Sequence, residues 1–169
     1  MARPKQCFIS YSHHDRDGFE RLRVHLGAVA NLYGLSVEHD ERLKAGDFWN
    51  EALQHKIVGS QIFVPLFTND FYASTYIREM ELPAMLERHA NYRALLVPVV
   101  YRESCWRRVF GDYIQLLPKD QRQILKPICE WKDKEKAFGL AANAISDAIE
   151  DWFGIQPISH FPHRAGGAA

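Results

Sequence analysis

The sequence predicts an α/β domain, a five-stranded parallel sheet with helices on both faces. Two observations carry this. Short β-rich runs alternate with longer amphipathic ones along most of the chain, the pattern of repeated strand–helix–strand units. Two of the short runs, QIFVPLF at 61–67 and ALLVPVV at 94–100, are almost continuously apolar, as expected of strands covered on both faces.

The elements follow in order. QCFISYS at 6–12 is the first strand, and Phe19, Leu22, Leu26 and Val29 after it recur at three- and four-residue steps, which predicts an amphipathic helix. LSVEH at 35–39 is the second strand. A polar loop containing Gly46 then leads into a helix with Phe48, Ala52 and Leu53 on one side and Asp47 as its cap. Between the two apolar strands, STYIREMELPAMLERH at 74–89 reads as a helix. Pro83 within it has no N–H, so the carbonyl of Glu79 loses its helical partner and a kink is expected there. KPICEW at 126–131 is the expected fifth strand. The last helix places Phe138, Ala141, Ile145, Ile149 and Trp152 near one face. Between Arg102 and Lys126, the spacing of Trp106, Phe110, Tyr113 and Leu116 suits a short helix. The expected division is a tail at 1–5, one domain at 6–153, and a tail or linker toward a possible missing domain at 154–169, where the pattern fades into HRAGGAA.

Composition excludes several functions. A chain of 169 residues fits one domain with a proper core, and 47% hydrophobic content marks it as globular. Lys plus Arg equals Asp plus Glu at 21 each, which leaves no excess positive charge for nucleic acid or an anionic membrane. No apolar run approaches the roughly 18 residues of a membrane span. MARPKQ lacks the apolar core of a signal peptide, so a cytoplasmic protein is expected. Cys7, Cys105 and Cys129 are odd in number and widely spaced, as free thiols are and disulfide or zinc frameworks are not.

In a parallel sheet of this kind, sites form beyond the carboxyl ends of the strands. SHHD at 12–15, DERLKAGDF at 40–48 and TNDFYASTYIREME at 68–81 therefore share one rim. Glu81 stands out because Ile77 and Met85 lie one helical turn to either side, which puts a carboxylate on an apolar edge. A lone helix glutamate is usually a solvated surface group, and Glu79 is a local rival two residues away. The Ser-His-Asp content of SYSHHD reads as a polar loop, since triad members converge from separate parts of a fold. Adjacent His13 and His14 point in different directions, which argues against a metal site. GxGxxG and GxxxxGK are absent, so a bound dinucleotide would be a substrate and not the occupant of a Rossmann phosphate cradle.

FISYS at 8–12, the D-x-x-L-x-A-G-x-F run from Asp40 to Phe48, the strand FVPLF, and Ser74 seven residues before Glu81 together resemble the Toll/interleukin-1 receptor (TIR) domain. The resemblance covers residues 6–153, nearly the whole chain, and implies a flavodoxin-like sheet. TIR domains include scaffolds that only assemble with one another. They also include enzymes that cleave NAD+ between nicotinamide and ribose, using a glutamate on the helix after the third strand. The bacterial motif S-x-Y-x-x-x-x-E is matched by Ser74, Tyr76 and Glu81.

The resemblance implies Glu81 as the catalytic residue, NAD+ as substrate with no cofactor or metal, and Phe48, Tyr76, Ser12, His13 and Asp40 as substrate-binding residues. Phe48 aligns with an aromatic of the enzymatic pocket, and Tyr76 stands near a position where many NAD-cleaving members carry Trp. Trp49 reads more simply as packing at the helix start. Leu43 and Gly46 fall in the loop through which one enzymatic TIR domain completes the pocket of the next. The implied function is an effector of bacterial anti-phage defence or cell death, switched on by homotypic assembly and coupled to a fused or separate sensor domain. The alternative is a non-enzymatic TIR scaffold. A response regulator is disfavoured because the first strand ends in SYS, without the acidic pair that would hold magnesium.

Overall fold

Side-chain alternation along the strands decides how the chain layers. The computed structural model describes residues 3–39 and 49–158. Its strands are β1 (Gln6–Ser10), β2 (Ser36–His39), β3 (Ile62–Phe67), β4 (Leu95–Leu96) and β5 (Val99–Val100). The pairings between these strands are parallel, in the order β2-β1-β3-β4, with β5 also on β3. Cys7, Ile9, Val64 and Leu66 point to one side, where they meet α1 (Arg16–Tyr33) and α6 (Lys134–Phe153). Phe8, Phe63, Phe67 and Leu96 point to the other, toward α2 (Trp49–Gly59), α3 (Asn69–Ala73), α4 (Leu82–Ala90) and α5 (Trp106–Phe110). The five-stranded parallel sheet with helices on both faces is thus the observed architecture. Strands buried on both sides need apolar residues in both registers, which is why 61–67 and 94–100 are nearly unbroken apolar runs.

The fifth strand is not where the sequence placed it. Residues 94–100 form two strands, because Pro98 falls opposite Pro65 in the shared register and each proline removes a ladder donor. KPICEW is not a strand. Ile128–Glu130 is a 3₁₀ turn with Ile128 fully buried, joined to the sheet where the Cys129 N–H donates to the carbonyl of Tyr101 at 2.9 Å. The edge of β5 is instead taken by Leu117, whose carbonyl accepts from the Val100 N–H at 2.7 Å and whose N–H donates to Pro98 at 3.0 Å. Pro118 and Pro127, on either side of that segment, cannot donate to a ladder. The helix expected between Arg102 and Lys126 is confined to α5; Phe110 and Leu116 are buried and Tyr113 is 96% exposed. Asp47, the expected cap of α2, lies outside the described residues.

The two long helices end where their sequences say they should. Gly34 and Gly154 take left-handed conformations after α1 and α6, which a side chain would resist. Asp133 caps α6 by accepting from the Lys136 N–H at 3.0 Å. Among the described residues, no helix is long and apolar enough to cross a membrane.

Two expectations follow from the packing. A Cβ added at Gly18 of α1 would lie 2.6–2.9 Å from the buried Tyr101 ring. The alanine gains about 1 kcal/mol of helix propensity, while overpacking costs about 1–3 kcal/mol. Gly18→Ala should therefore lose stability in urea unfolding, and an unchanged or raised midpoint would show that the ring moves aside freely. Burial pushes the Cys7 thiol up to about 12, whereas Cys105 and Cys129 are only partly buried. A thiol reagent at pH 8 should leave Cys7 unmodified in the native protein and react with it once the chain is unfolded, as read by mass spectrometry.

Candidate functional site

The chain leaves β1 toward α1 on one face of the sheet and leaves β3 toward α3 on the other. Adjacent parallel strands whose connections diverge in this way open a crevice at their carboxyl ends. Ser10 ends β1 on the same side as Phe8, opposite Pro65 of β3, and is fully buried.

Glu81 reaches this crevice through a local irregularity. Thr68 follows β3 and caps α3, its hydroxyl accepting from the Phe71 N–H at 3.0 Å. Ser74 then ends α3 and its hydroxyl accepts from the Ile77 N–H at 3.4 Å, which gives the motif serine a structural job. The next turn, Ile77–Glu81, is a π turn in which the Leu82 N–H bonds to the carbonyl of Ile77. Pro83 is in the first turn of α4, where its missing N–H costs least. The kink expected from Pro83 is thus realised as a change of helical register just before it, a feature often found at functional sites.

The carboxylate of Glu81 is 1% exposed, and Ile77 and Met85 beside it are buried. The Ser10 hydroxyl donates a hydrogen bond to Glu81 Oε2. Burying a carboxylate costs several kcal/mol unless it is hydrogen-bonded or paired, so this contact is part of what makes the arrangement possible. Glu79 has the opposite environment: its side chain is 62% exposed, 3.6 Å from Arg78.

A second buried carboxylate stands on the same rim. Asp15 accepts from Thr68 Oγ1 at 2.5 Å and from Arg102 Nε at 3.2 Å. These bonds tie the connection after β1 to those after β3 and β5. Arg102 also lies over the Tyr101 ring, 5.1 Å from its centroid. Burial, and then the neighbouring Cys129 thiol, raise the Tyr101 phenol above its ordinary value.

The other sequence candidates are distributed as follows. Ser12 is buried and caps the 3₁₀ turn His13–Asp15, accepting from the His14 N–H at 3.4 Å. His13 is exposed on the rim, its ring 5.7 Å from that of Tyr11. Tyr76 is half-buried one residue before the π turn, against the apolar layer on the α2 and α4 side. Asp40, Leu43, Gly46 and Phe48 lie outside the described residues, in the segment joining β2 to α2. Sequence reasoning missed Ser10, Asp15, Thr68 and Arg102. For Ser10 the signal was present, since strand alternation puts it on the face that the Glu81 helix covers. Among the described residues, no group of three or more His, Cys, Asp or Glu side chains is placed to hold a metal ion.

A parallel α/β domain carrying a buried carboxylate at the point where its connections diverge is the class that fold and site define. The chain belongs to the TIR domain family, whose model matches residues 7–126. That family includes members that cleave NAD and members that act as scaffolds. A relative, the uncharacterized protein y4lF of Sinorhizobium fredii, is 30% identical over 141 residues, covering 83% of this chain. The chain spans only 42% of that relative's length. Among solved structures, a TIR domain from the activated Roq1 resistosome directly recognizing the pathogen effector XopQ is similar, with a TM-score of 0.48 and 18% identity. That match covers 89% of this chain and 98% of the other.

Removing the Asp15 carboxylate leaves Thr68 and Arg102 without their shared acceptor. Asp15→Ala should cost about 3 kcal/mol, in the range for breaking a buried hydrogen-bonded network, measured by denaturant unfolding. A loss under about 1 kcal/mol, the size of one ordinary hydrogen bond, would show that the rim does not depend on this tie.

Proposed function

We propose that the chain is an NAD+ glycohydrolase of the TIR type, cleaving the bond between nicotinamide and ribose. The observation that carries this is the Glu81 carboxylate, buried at the β1/β3 crevice and held by Ser10, at the position where the S-x-Y-x-x-x-x-E motif places the glutamate of bacterial NAD-cleaving TIR domains.

The chemistry fits a single carboxylate. Glycosidases usually need one carboxyl group to protonate the leaving oxygen and another to face the developing cation. Nicotinamide departs from a pyridinium. When the C1′–N1 bond breaks, its electron pair neutralises the ring nitrogen, and no proton has to be supplied. Positive charge develops on the ribose, and Glu81 stabilises it while accepting hydrogen bonds from the ribose hydroxyls, an effect strengthened where water is excluded. Water then adds to C1′ and loses a proton to give ADP-ribose, or an adenine nitrogen of the same molecule adds to give a cyclic product. Tyr76 and Phe48 flank the rings in this reading, and Ser12, His13 and Asp40 bind the remainder of the dinucleotide.

In the same proposal, the loop carrying Leu43 and Gly46 contacts the next molecule in a homotypic assembly and completes its pocket, so self-association is the switch. A sensor, fused or separate, triggers assembly, and the protein acts as an effector of bacterial defence or cell death. The scaffold alternative gives the same fold with no turnover.

The test is nicotinamide release by concentrated or artificially clustered protein, followed by chromatography. Wild type should consume NAD+ with a specific activity that rises with concentration, and Glu81→Gln should lower the rate by at least about a hundredfold, the scale of losing one aligned electrostatic stabiliser. Intact NAD+ in a sample of verified assembly would favour the scaffold. Turnover that survives in the Glu81 variant would move the chemistry to another group.

A further inference from the structure

Ser10 has a place in this site that the TIR glutamate motif does not supply. It ends a strand that pairs with β2 on one side and β3 on the other, and in the β3 register it stands opposite Pro65. It is fully buried, and a buried hydroxyl must find a partner. That partner is Glu81, far away in sequence and carried on a π turn. An ionised carboxylate can only accept, so the serine is the donor, and a hydrogen bond to the ionised form is stronger than one to the neutral acid. Phe8 precedes Ser10 on the same face and meets Phe63 edge-on at 6.5 Å, so the wall beneath the pair is apolar, which strengthens the bond further.

We propose that Ser10 is a positioning residue for Glu81, its hydroxyl holding the carboxylate anionic and in one orientation at the β1/β3 crevice. The inference rests on the reading of Glu81 as the group that stabilises the ribosyl cation. A stabiliser of positive charge is useful only when charged and only when aimed, and burial opposes the first of these. The serine counters that opposition without adding a positive charge, which would repel both the pyridinium substrate and the developing cation. A lysine or arginine in its place would keep Glu81 ionised but neutralise its effect. Among the described residues, Arg78 lies 3.6 Å from Glu79, Lys56 3.5 Å from Glu38, and Asp15 is held by Thr68 and Arg102. His13 and His39 stand after β1 and at the end of β2.

The test compares Ser10→Ala, Ser10→Thr and wild type. Ser10→Ala removes one oxygen and little volume. In clustered protein it should lower kcat by roughly ten- to hundredfold, the scale of a hydrogen bond to a charged group, with KM nearly unchanged. Ser10→Thr, which keeps the hydroxyl, should recover most of that loss. The second readout needs no turnover: in protein labelled with 13C at glutamate carboxyls, the Glu81 signal is identified by its absence in Glu81→Gln. Its titration midpoint should rise in Ser10→Ala by about one to two pH units relative to wild type, and following this one carbon separates it from His13 and His39. A midpoint that does not move, or a kcat equal to wild type, overturns the proposal. If wild type leaves NAD+ intact, the enzymatic reading falls, and the carboxyl titration still decides whether Ser10 governs the charge of Glu81.

Discussion

Everything at this site depends on β1 and β3 being central strands whose continuations leave on opposite faces. Both are apolar in both registers, so helices must cover both sides, and neighbouring parallel strands can be joined only by crossovers. Once the crossover after β1 takes one face and that after β3 the other, the carboxyl ends of the pair cannot be closed by either connection. The crevice follows from topology before any functional side chain is considered. The residues that face it are whatever ends β1, whatever follows β3, and whatever the helix after β3 turns inward.

Among the described residues, two buried carboxylates, Asp15 and Glu81, occupy that region, and the chain accommodates them differently. Asp15 is held by a guanidinium and a hydroxyl, a combination that offsets charge and fixes three connections at once. Glu81 receives the hydroxyl of Ser10. Asp15 ties the connections after β1, β3 and β5 together, while Glu81 stands at the β1/β3 crevice.

How much of this was legible depends on the range of the interaction. The faces of β1 and β3 could be read because alternation is local, and the same rule, applied one residue further, reaches Ser10. Glu81 was favoured over Glu79 by the family motif, in which the glutamate precedes an aliphatic residue, here Leu82, and the structure gives the two glutamates opposite exposures. The fifth strand was misplaced because a short apolar run does not say whether the neighbouring edge is free; here Leu117 already occupies the edge of β5, and that contact depends on the conformation of the whole segment after it. Pro83 announced a break but not its form, since a lost donor is compatible with a kink or with a π turn. The Asp15 tie was out of reach, because its partners are 53 and 87 residues away and none has a periodic pattern to mark it. Residues 40–48, which carry four of the sequence candidates, lie outside the described residues, so only the family resemblance speaks for them.

The two sides of the buried Ser10–Glu81 contact are held by different kinds of structure. At 1% exposure the carboxylate is not reached without displacement of something around it. The Ser10 side belongs to a strand with a ladder on each flank, and moving it means breaking β1 away from β2 or β3. The Glu81 side is a single π turn between a five-residue helix and a proline. A π turn and an α turn differ by one hydrogen-bond register, and at Pro83 there is no N–H to lose in passing between them. The physical asymmetry is therefore between a donor carried on a central strand and an acceptor carried on an irregular turn.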